Sequence, residues 1–345
     1  MVRSCRKIIR IGFFVGFTAV LFSATSLSAA DSSVIFMYHR FGEREHPTTN
    51  ISIEQFESHI KELQSGAYAV LPVTEIIETL RQGKSLPERT IGITVDDAYL
   101  SVYTEAWPRL KKAGLPFTLF INTDDIDRAT PGSMTWDKLR EMADAGVVIG
   151  HQSASHPHMP RLSIEENRLE IKKGFDRFEQ MLGIRPTLFA YPYGEAGMEI
   201  ERLVSESGFS AAFGQHSGAI SGSGDFYYLP RFSLNETYGD LPRFRTAANA
   251  LALPVSDITP ADHLLSAAGD NPPAFGFTVT ADIGDLNRLT CFTSHEGRAD
   301  VSRLGESRIE VRMKKPMPKG RNRINCTMPA SQSRWRWLGR QFFVP

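Results

Sequence analysis

The first two thirds of this sequence predict a parallel α/β fold, a distorted barrel rather than an open sheet. Two observations carry that prediction. Seven short apolar runs recur between residues 34 and 213: Val34–Tyr38, Tyr68–Leu71, Ile91–Val95, Phe117–Ile121, Val147–Gly150, Thr187–Tyr191 and Ala211–Phe213. Runs that are apolar at every position, not at alternate ones, read as strands buried on both faces, as in parallel sheets. The intervening segments carry helix signals. Ser52 with Gln55 forms a capping box ahead of Phe56, Ile60 and Leu63. Ser163 with Glu166 forms another ahead of Ile171, Phe175, Phe178 and Leu182. Strand and helix alternating in this way give a parallel α/β architecture. No Gly-x-Gly-x-x-Gly follows the first strand, which excludes a dinucleotide-binding domain of the usual kind.

The ends of the chain read differently. Arg3, Arg6, Lys7 and Arg10 precede the apolar stretch Ile11–Phe22, and Ser28-Ala29-Ala30 offers small residues before a cut. This is the pattern of a secretory signal peptide, with Asp31 as the expected new terminus. The apolar stretch is short for a span of about 20 residues, so residues 1–30 are expected to be cleaved, leaving no stable membrane span and an exported protein, periplasmic or extracellular. Residues 31–246 make the α/β domain. Residues 247–273, with Pro254, Pro260, Pro272 and Pro273, read as a linker. Residues 274–345 hold short alternating segments split by Gly, Pro and Asp, and predict a small all-β domain of sandwich type. Cys291 and Cys326 lie in this domain, and two cysteines in an exported chain suggest one disulfide. Trp335 and Trp337 alternate as one strand face turned toward a core would.

Charge is partitioned along the chain. The 345 residues sum to zero, with 39 basic and 39 acidic side chains. The leader holds four of the positive charges, and residues 271–345 hold 13 basic against 6 acidic. The α/β domain is therefore acidic and the β-domain basic. A neutral total gives no sign of nucleic-acid binding.

In a parallel barrel, function gathers where strands end. The third strand ends in Asp96-Asp97, a pair costly after an apolar strand unless something uses it. The fifth runs into Gly150-His151-Gln152-Ser153-Ala154-Ser155-His156-Pro157-His158, placing three of the nine histidines within eight residues. The sixth ends in Tyr191-Pro192-Tyr193-Gly194, and the first in Tyr38-His39. Aspartate with clustered histidine at strand ends is a divalent-metal pattern, with Zn²⁺ the leading expectation.

These segments, in this order, resemble the NodB-type polysaccharide deacetylases, carbohydrate esterase family four, over about residues 33–235. Thr94-Val95-Asp96-Asp97-Ala98 matches the first motif of that family, which implies Asp96 as catalytic base and Asp97 as metal ligand. His156 matches the second histidine of the next motif, a metal ligand. The first histidine position holds Gln152, with His151 one residue earlier, so the third ligand is His151 or Gln152; imidazole suits zinc better, which favours His151. The third motif reads Ala190-Tyr191-Pro192-Tyr193 and lacks its arginine. Arg231 matches the later arginine motif and is expected to orient Asp96. The final histidine motif has no clear match, and His216 is the replacement candidate. Tyr38-His39 resembles the opening strand of the poly-N-acetylglucosamine deacetylase branch. The resemblance implies hydrolytic removal of N-acetyl groups from an N-acetylglucosamine-containing glycan. The Tyr193 backbone N–H would face the oxyanion, and His216 or His39 would protonate the leaving amine. Tyr99, Trp136, Pro192, Tyr193 and His39 are candidates for the sugar-binding wall. The alternative is a glycan-binding protein on a decayed deacetylase barrel.

Overall fold

The computed structural model describes Met1, residues 29–265 and residues 270–345. The expected leader lies outside the described residues, apart from Met1, Ala29 and Ala30, and Cys5 lies outside with it. The seven apolar runs form strands β1 (Ser32–Tyr38), β2 (Ala69–Val70), β3 (Thr90–Asp96), β4 (Thr118–Ile121), β5 (Val148–His151), β6 (Leu188–Ala190) and β7 (Ala211–Phe213). Two short strands follow, β8 (Ala219–Ser221) and β9 (Phe232–Ser233).

The main path of the sheet is β7-β6-β5-β4-β3-β1-β8, with β2 beside β3 and β9 beside β1. Every pairing is parallel except that of β8 with β1. The sheet curls toward closure. Phe213 at the end of β7 bridges Leu229, and three residues later β9 returns to pair with β1. The concave side is filled by Ile35, Phe120, Leu188, Ala190, Phe213 and Leu229, with Val73, Ile76 and Leu80 of the helix Val73–Arg81 packed in the same cluster. The convex side is covered by helices. Their order is α1 (Ile53–Leu63), α2 (Val73–Arg81), α3 (Trp107–Ala113), α4 (Trp136–Asp144), α5 (Ile164–Leu182), α6 (Met198–Glu206) and α7 (Leu241–Ala248). Burial on both faces explains why the strands are apolar at every position. Both expected capping boxes form, Ser52 with Gln55 on α1 and Ser163 with Glu166 on α5. Among the described residues, no helix is long and apolar enough to cross a membrane.

The remaining chain is a β-sandwich. Strands β10 (Leu251–Ala252), β11 (Val255–Thr259), β12 (Phe275–Val279), β13 (Thr290–Thr293), β14 (Gly297–Arg298), β15 (Asp300–Leu304), β16 (Arg308–Arg312), β17 (Gly320–Pro329) and β18 (Trp335–Val344) form two sheets. Their orders are β10-β18-β17-β13-β14 and β11-β12-β16-β15. Phe275, Phe277, Ile309, Val311, Ile324 and Phe342 fill the space between them. Cys291 and Cys326 face each other in register across β13 and β17 and are joined as a disulfide, with Cα atoms 4.0 Å apart.

Two expectations for this region are corrected. Residues 247–273 are not simply a linker, because β10 pairs with β18 and β11 with β12. Pro254 falls between those two strands and Pro260 just after the second, where a missing N–H costs no ladder bond. The alternation of Trp335 and Trp337 is real, but their shared face is not the sandwich core. Phe342 and Val344 face the core. Trp337 instead packs edge-on against Phe232 of the barrel, with centroids 5.0 Å apart, and Trp335 is exposed.

Candidate active site

The ends of β3, β5 and β6 and the segment before β9 converge at one mouth of the barrel. Asp96, the last residue of β3, is fully buried, as is Arg231. The guanidinium grips both carboxylate oxygens, Nη1 donating to Oδ1 at 2.6 Å and Nη2 to Oδ2 at 2.8 Å. Arg231 also donates to Thr94 Oγ1 at 3.1 Å and, through Nε, to the Gly214 carbonyl at 3.0 Å. This bidentate fork holds Asp96 in one orientation and compensates its buried charge. Because Arg231 takes both oxygens, the alanine at position 190 leaves no carboxylate unpaired. His39 Nε2 stands 4.0 Å from Asp96 Oδ2 and is the histidine nearest that carboxylate.

Asp97 turns out of the strand at φ +65°, and its Oδ1 lies 3.7 Å from His156 Nε2. The loop after β5 is tied to α5: Glu170 accepts from the backbone N–H groups of Ala154 and Ser155 at 3.2 and 2.8 Å. Asp97, Ser153, His156 and Tyr193 all hold positive φ, and all lie in these mouth loops. Backbone in the left-handed region persists in non-glycine residues only where surroundings impose it, and such positions gather at working sites. Tyr99 lies beside Asp97. Burial, then the charge of Asp97, raises its phenol above the usual range, and the Arg40 guanidinium sits 3.4 Å over its ring.

The order of His151 and Gln152 settles their fates. A Cβ on Gly150 would strike the Phe120 ring at 2.4 Å, so position 150 points into the barrel. His151 therefore points outward and Gln152 inward. The metal role expected of His151 is thus corrected. Its ring is fully buried among Phe175, Phe178, Phe189 and Phe209. Nδ1 accepts from the Ser153 N–H at 3.0 Å, which leaves Nε2 to donate to the Ile171 carbonyl at 3.1 Å. Both nitrogens are spoken for, and burial pushes the ring's pKa down to about 3. Gly174 on α5 makes the room, since a Cβ there would meet His151 Nε2 at 2.3 Å.

Gln152 is fully buried, and neither end of its amide has a hydrogen-bond partner among the described residues. An orphaned buried amide costs about 1–3 kcal/mol unless a ligand takes it. Asp97, His156 and Gln152 together offer a carboxylate oxygen, an imidazole nitrogen and an amide oxygen. That mixed N/O donor set fits a divalent cation. No cluster of three His, Cys, Asp or Glu occurs among the described residues.

Two further expectations are corrected. His216 is buried against Tyr228, with ring centroids 4.6 Å apart; burial first, then Arg340, holds its pKa well below the ordinary value. No side-chain hydrogen bond or ion pair joins it to Asp96 or Asp97 among the described residues, whereas His39 stands 4.0 Å from Asp96. Trp136 is a core residue at the start of α4. Its ring meets Phe178 edge-on and its Nε1 donates to Asp127 at 2.8 Å, so it offers no face to a sugar. Pro192 is buried beneath the Tyr193 turn. The sequence reading also passed over His158 and Glu195. His158 stacks on Tyr193 at 4.2 Å and pairs with the buried Glu195 at 2.7 Å, bracing that turn. The proximity of His158 to His156 was visible in the sequence; its partner 37 residues away was not.

Comparison with known proteins bears on the fold. Residues 83–212 match the family model described as polysaccharide deacetylase. The chain is 26% identical over 213 residues to a poly-β-1,6-N-acetyl-D-glucosamine N-deacetylase of Staphylococcus aureus, covering 58% of this chain and 73% of that one. It superposes on the structure of IcaB from Ammonifex degensii with a TM-score of 0.55 and 26% identity, over 64% of this chain and 97% of that one. The fold is also that of the Streptococcus pyogenes deacetylase PplD, with a TM-score of 0.56 and 19% identity over 60% and 94% of the two chains. The buried Asp96–Arg231 pair, with Asp97 and His156 beside it, thus stands at the mouth of a barrel whose residues 83–212 match the polysaccharide deacetylase model and whose fold is shared with these deacetylase structures.

Proposed function

We propose that this protein is an exported, metal-dependent hydrolase that removes N-acetyl groups from an N-acetylglucosamine-containing glycan. The observation that carries the reading is the fully buried Asp96 carboxylate, locked by Arg231 at 2.6 and 2.8 Å, next to the Asp97–His156 pair. Binding alone requires no such group. Asp97, His156 and Gln152 are the residues that would hold a divalent cation, which when bound polarises the acetamide carbonyl and acidifies water. Asp96 takes the proton from the attacking water, and Arg231 keeps the carboxylate aimed. The Tyr193 N–H donates to the developing oxyanion. His39 protonates the departing amine, which is too basic to leave as an anion. Export is supported by the basic-apolar leader of the sequence and by the Cys291–Cys326 disulfide, a bond that persists in oxidising compartments.

The test is acetate release from N-acetylglucosamine oligomers together with metal content by plasma mass spectrometry. One equivalent of a divalent metal and stoichiometric acetate are expected. Gln152→Ala should weaken metal affinity at least tenfold, whereas His151→Ala should leave the ligands in place. A chain with neither metal nor acetate release would instead be a glycan-binding protein on a decayed barrel.

A further inference from the structure

The β-sandwich does not hang free of the barrel. The outer face of its five-stranded sheet lies on the barrel mouth. Gln341 Nε2 donates to the carbonyls of Gly194 at 2.7 Å and Tyr193 at 3.1 Å. Where the two domains part, they leave a cavity of about 570 Å³. Its barrel side carries His39, Asn235 and Arg243, and its sandwich side carries Phe292, Arg321 and Arg323. His39 also stands 4.0 Å from Asp96, so the cavity adjoins the site through that histidine.

The charge of this cleft is one-sided. Its lining holds three arginines and no aspartate or glutamate. Arg321 shares the Glu195 carboxylate, 3.8 Å away. Neither Arg243 nor Arg323 has a carboxylate within 4.0 Å among the described residues. Arg323 Nε donates to the neutral amide of Gln341, at 3.1 Å, and Arg243 Nε has no acceptor among the described residues, its guanidinium lying 4.6 Å over the Tyr238 ring. Burial, then repulsion from Arg321, lowers the pKa of Arg323, as expected of a cation lacking its anion. Phe292 on β13 is 47% exposed at the rim, an aromatic face open to solvent. Unpaired guanidinium groups in a concave wall recognise a carboxylate, and an exposed aromatic ring stacks on a sugar.

Resting on the deacetylase reading above, we propose that this interdomain cleft is a glycan subsite. It takes a carboxylate-bearing sugar adjoining the N-acetylglucosamine unit held at Asp96. The enzyme then prefers acidic N-acetylated glycans over neutral ones, and the specificity comes from the β-sandwich as much as from the barrel.

Two oligomers of equal length test this: a neutral N-acetylglucosamine oligomer, and one alternating N-acetylglucosamine with a carboxylate-bearing sugar. Binding is measured by titration calorimetry on the full chain with chelator present, so that turnover does not intervene. The acidic oligomer is expected to bind about tenfold more tightly at low salt, with the preference fading as salt rises. Arg323→Gln and, on the opposite wall, Arg243→Gln should each erase most of that preference, with melting curves confirming that each variant folds. Equal affinity for the two oligomers, or an unchanged preference in both variants, would overturn the subsite. Acetate release is measured separately on metal-loaded protein. A preference that tracks the arginines without any acetate release would uphold the subsite and sink the deacetylase reading alone.

Discussion

Asp96 and Arg231 illustrate what a buried charge pair demands. Each is fully buried, and each satisfies the other through two short hydrogen bonds. Removing one partner strands the other in a medium that cannot solvate it, a loss of about 3–5 kcal/mol. Asp96→Asn should therefore lower the denaturant midpoint as well as the rate. With a base worth about 10²–10⁴-fold, acetate release should fall by at least a hundredfold at temperatures where the variant is still folded. A variant within tenfold of wild type would remove Asp96 from the base role. Gln152 makes the complementary point: neither end of its buried amide has a partner among the described residues.

At the scale of the element, β5 sorts its neighbours by parity. Successive residues leave a strand on opposite faces, so two adjacent polar residues with metal-binding chemistry end in different worlds. His151 enters an aromatic cluster under α5 and Gln152 enters the barrel mouth. The first of these has a pH consequence. The native pKa of His151 is about 3 against about 6.5 unfolded, so the unfolded chain binds the extra proton between those values. Stability is thus unaffected above the unfolded pKa and is lost as pH falls from about 6.5 toward 3. His151→Gln, which does not titrate, should show a shallower loss of urea midpoint between pH 8 and pH 5 than wild type. A residual slope is expected from His216 and His263, both depressed chiefly by burial. An unchanged slope would mean that His151 charges in the native state.

At the scale of the whole molecule, the sandwich and the barrel meet as closely as two backbones can. A Cβ at Gly339 would lie 1.9 Å from the Ser217 carbonyl oxygen, so only glycine fits β18 against the loop between β7 and β8. Gln341, two residues on, reaches the Tyr193 turn from the same face. Gly339→Val should push the domains apart. We expect calorimetry to show two thermal transitions where wild type shows one, with acetate release reduced because the Tyr193 turn loses its brace. One unshifted transition would show that the sheet slides without cost.

Much of this was legible in the chain itself. Uniformly apolar runs, capping boxes and the carboxylates after β3 are local signals, written within a few residues of the structure they produce. They determined the parallel barrel, the placing of Asp96, Asp97 and His156 at one mouth, and the β-rich character of the C-terminal part. Three things were decided only by tertiary structure. Which of His151 and Gln152 faces inward depends on where Gly150 meets Phe120. The burial of His216 depends on Tyr228 and on the sandwich strand carrying Arg340. The outer face that Trp337 shares with Gln341 depends on the barrel lying against it. Each is a contact between residues far apart in sequence, and hydrophobic burial, being non-directional, says that a residue must be covered without saying by what.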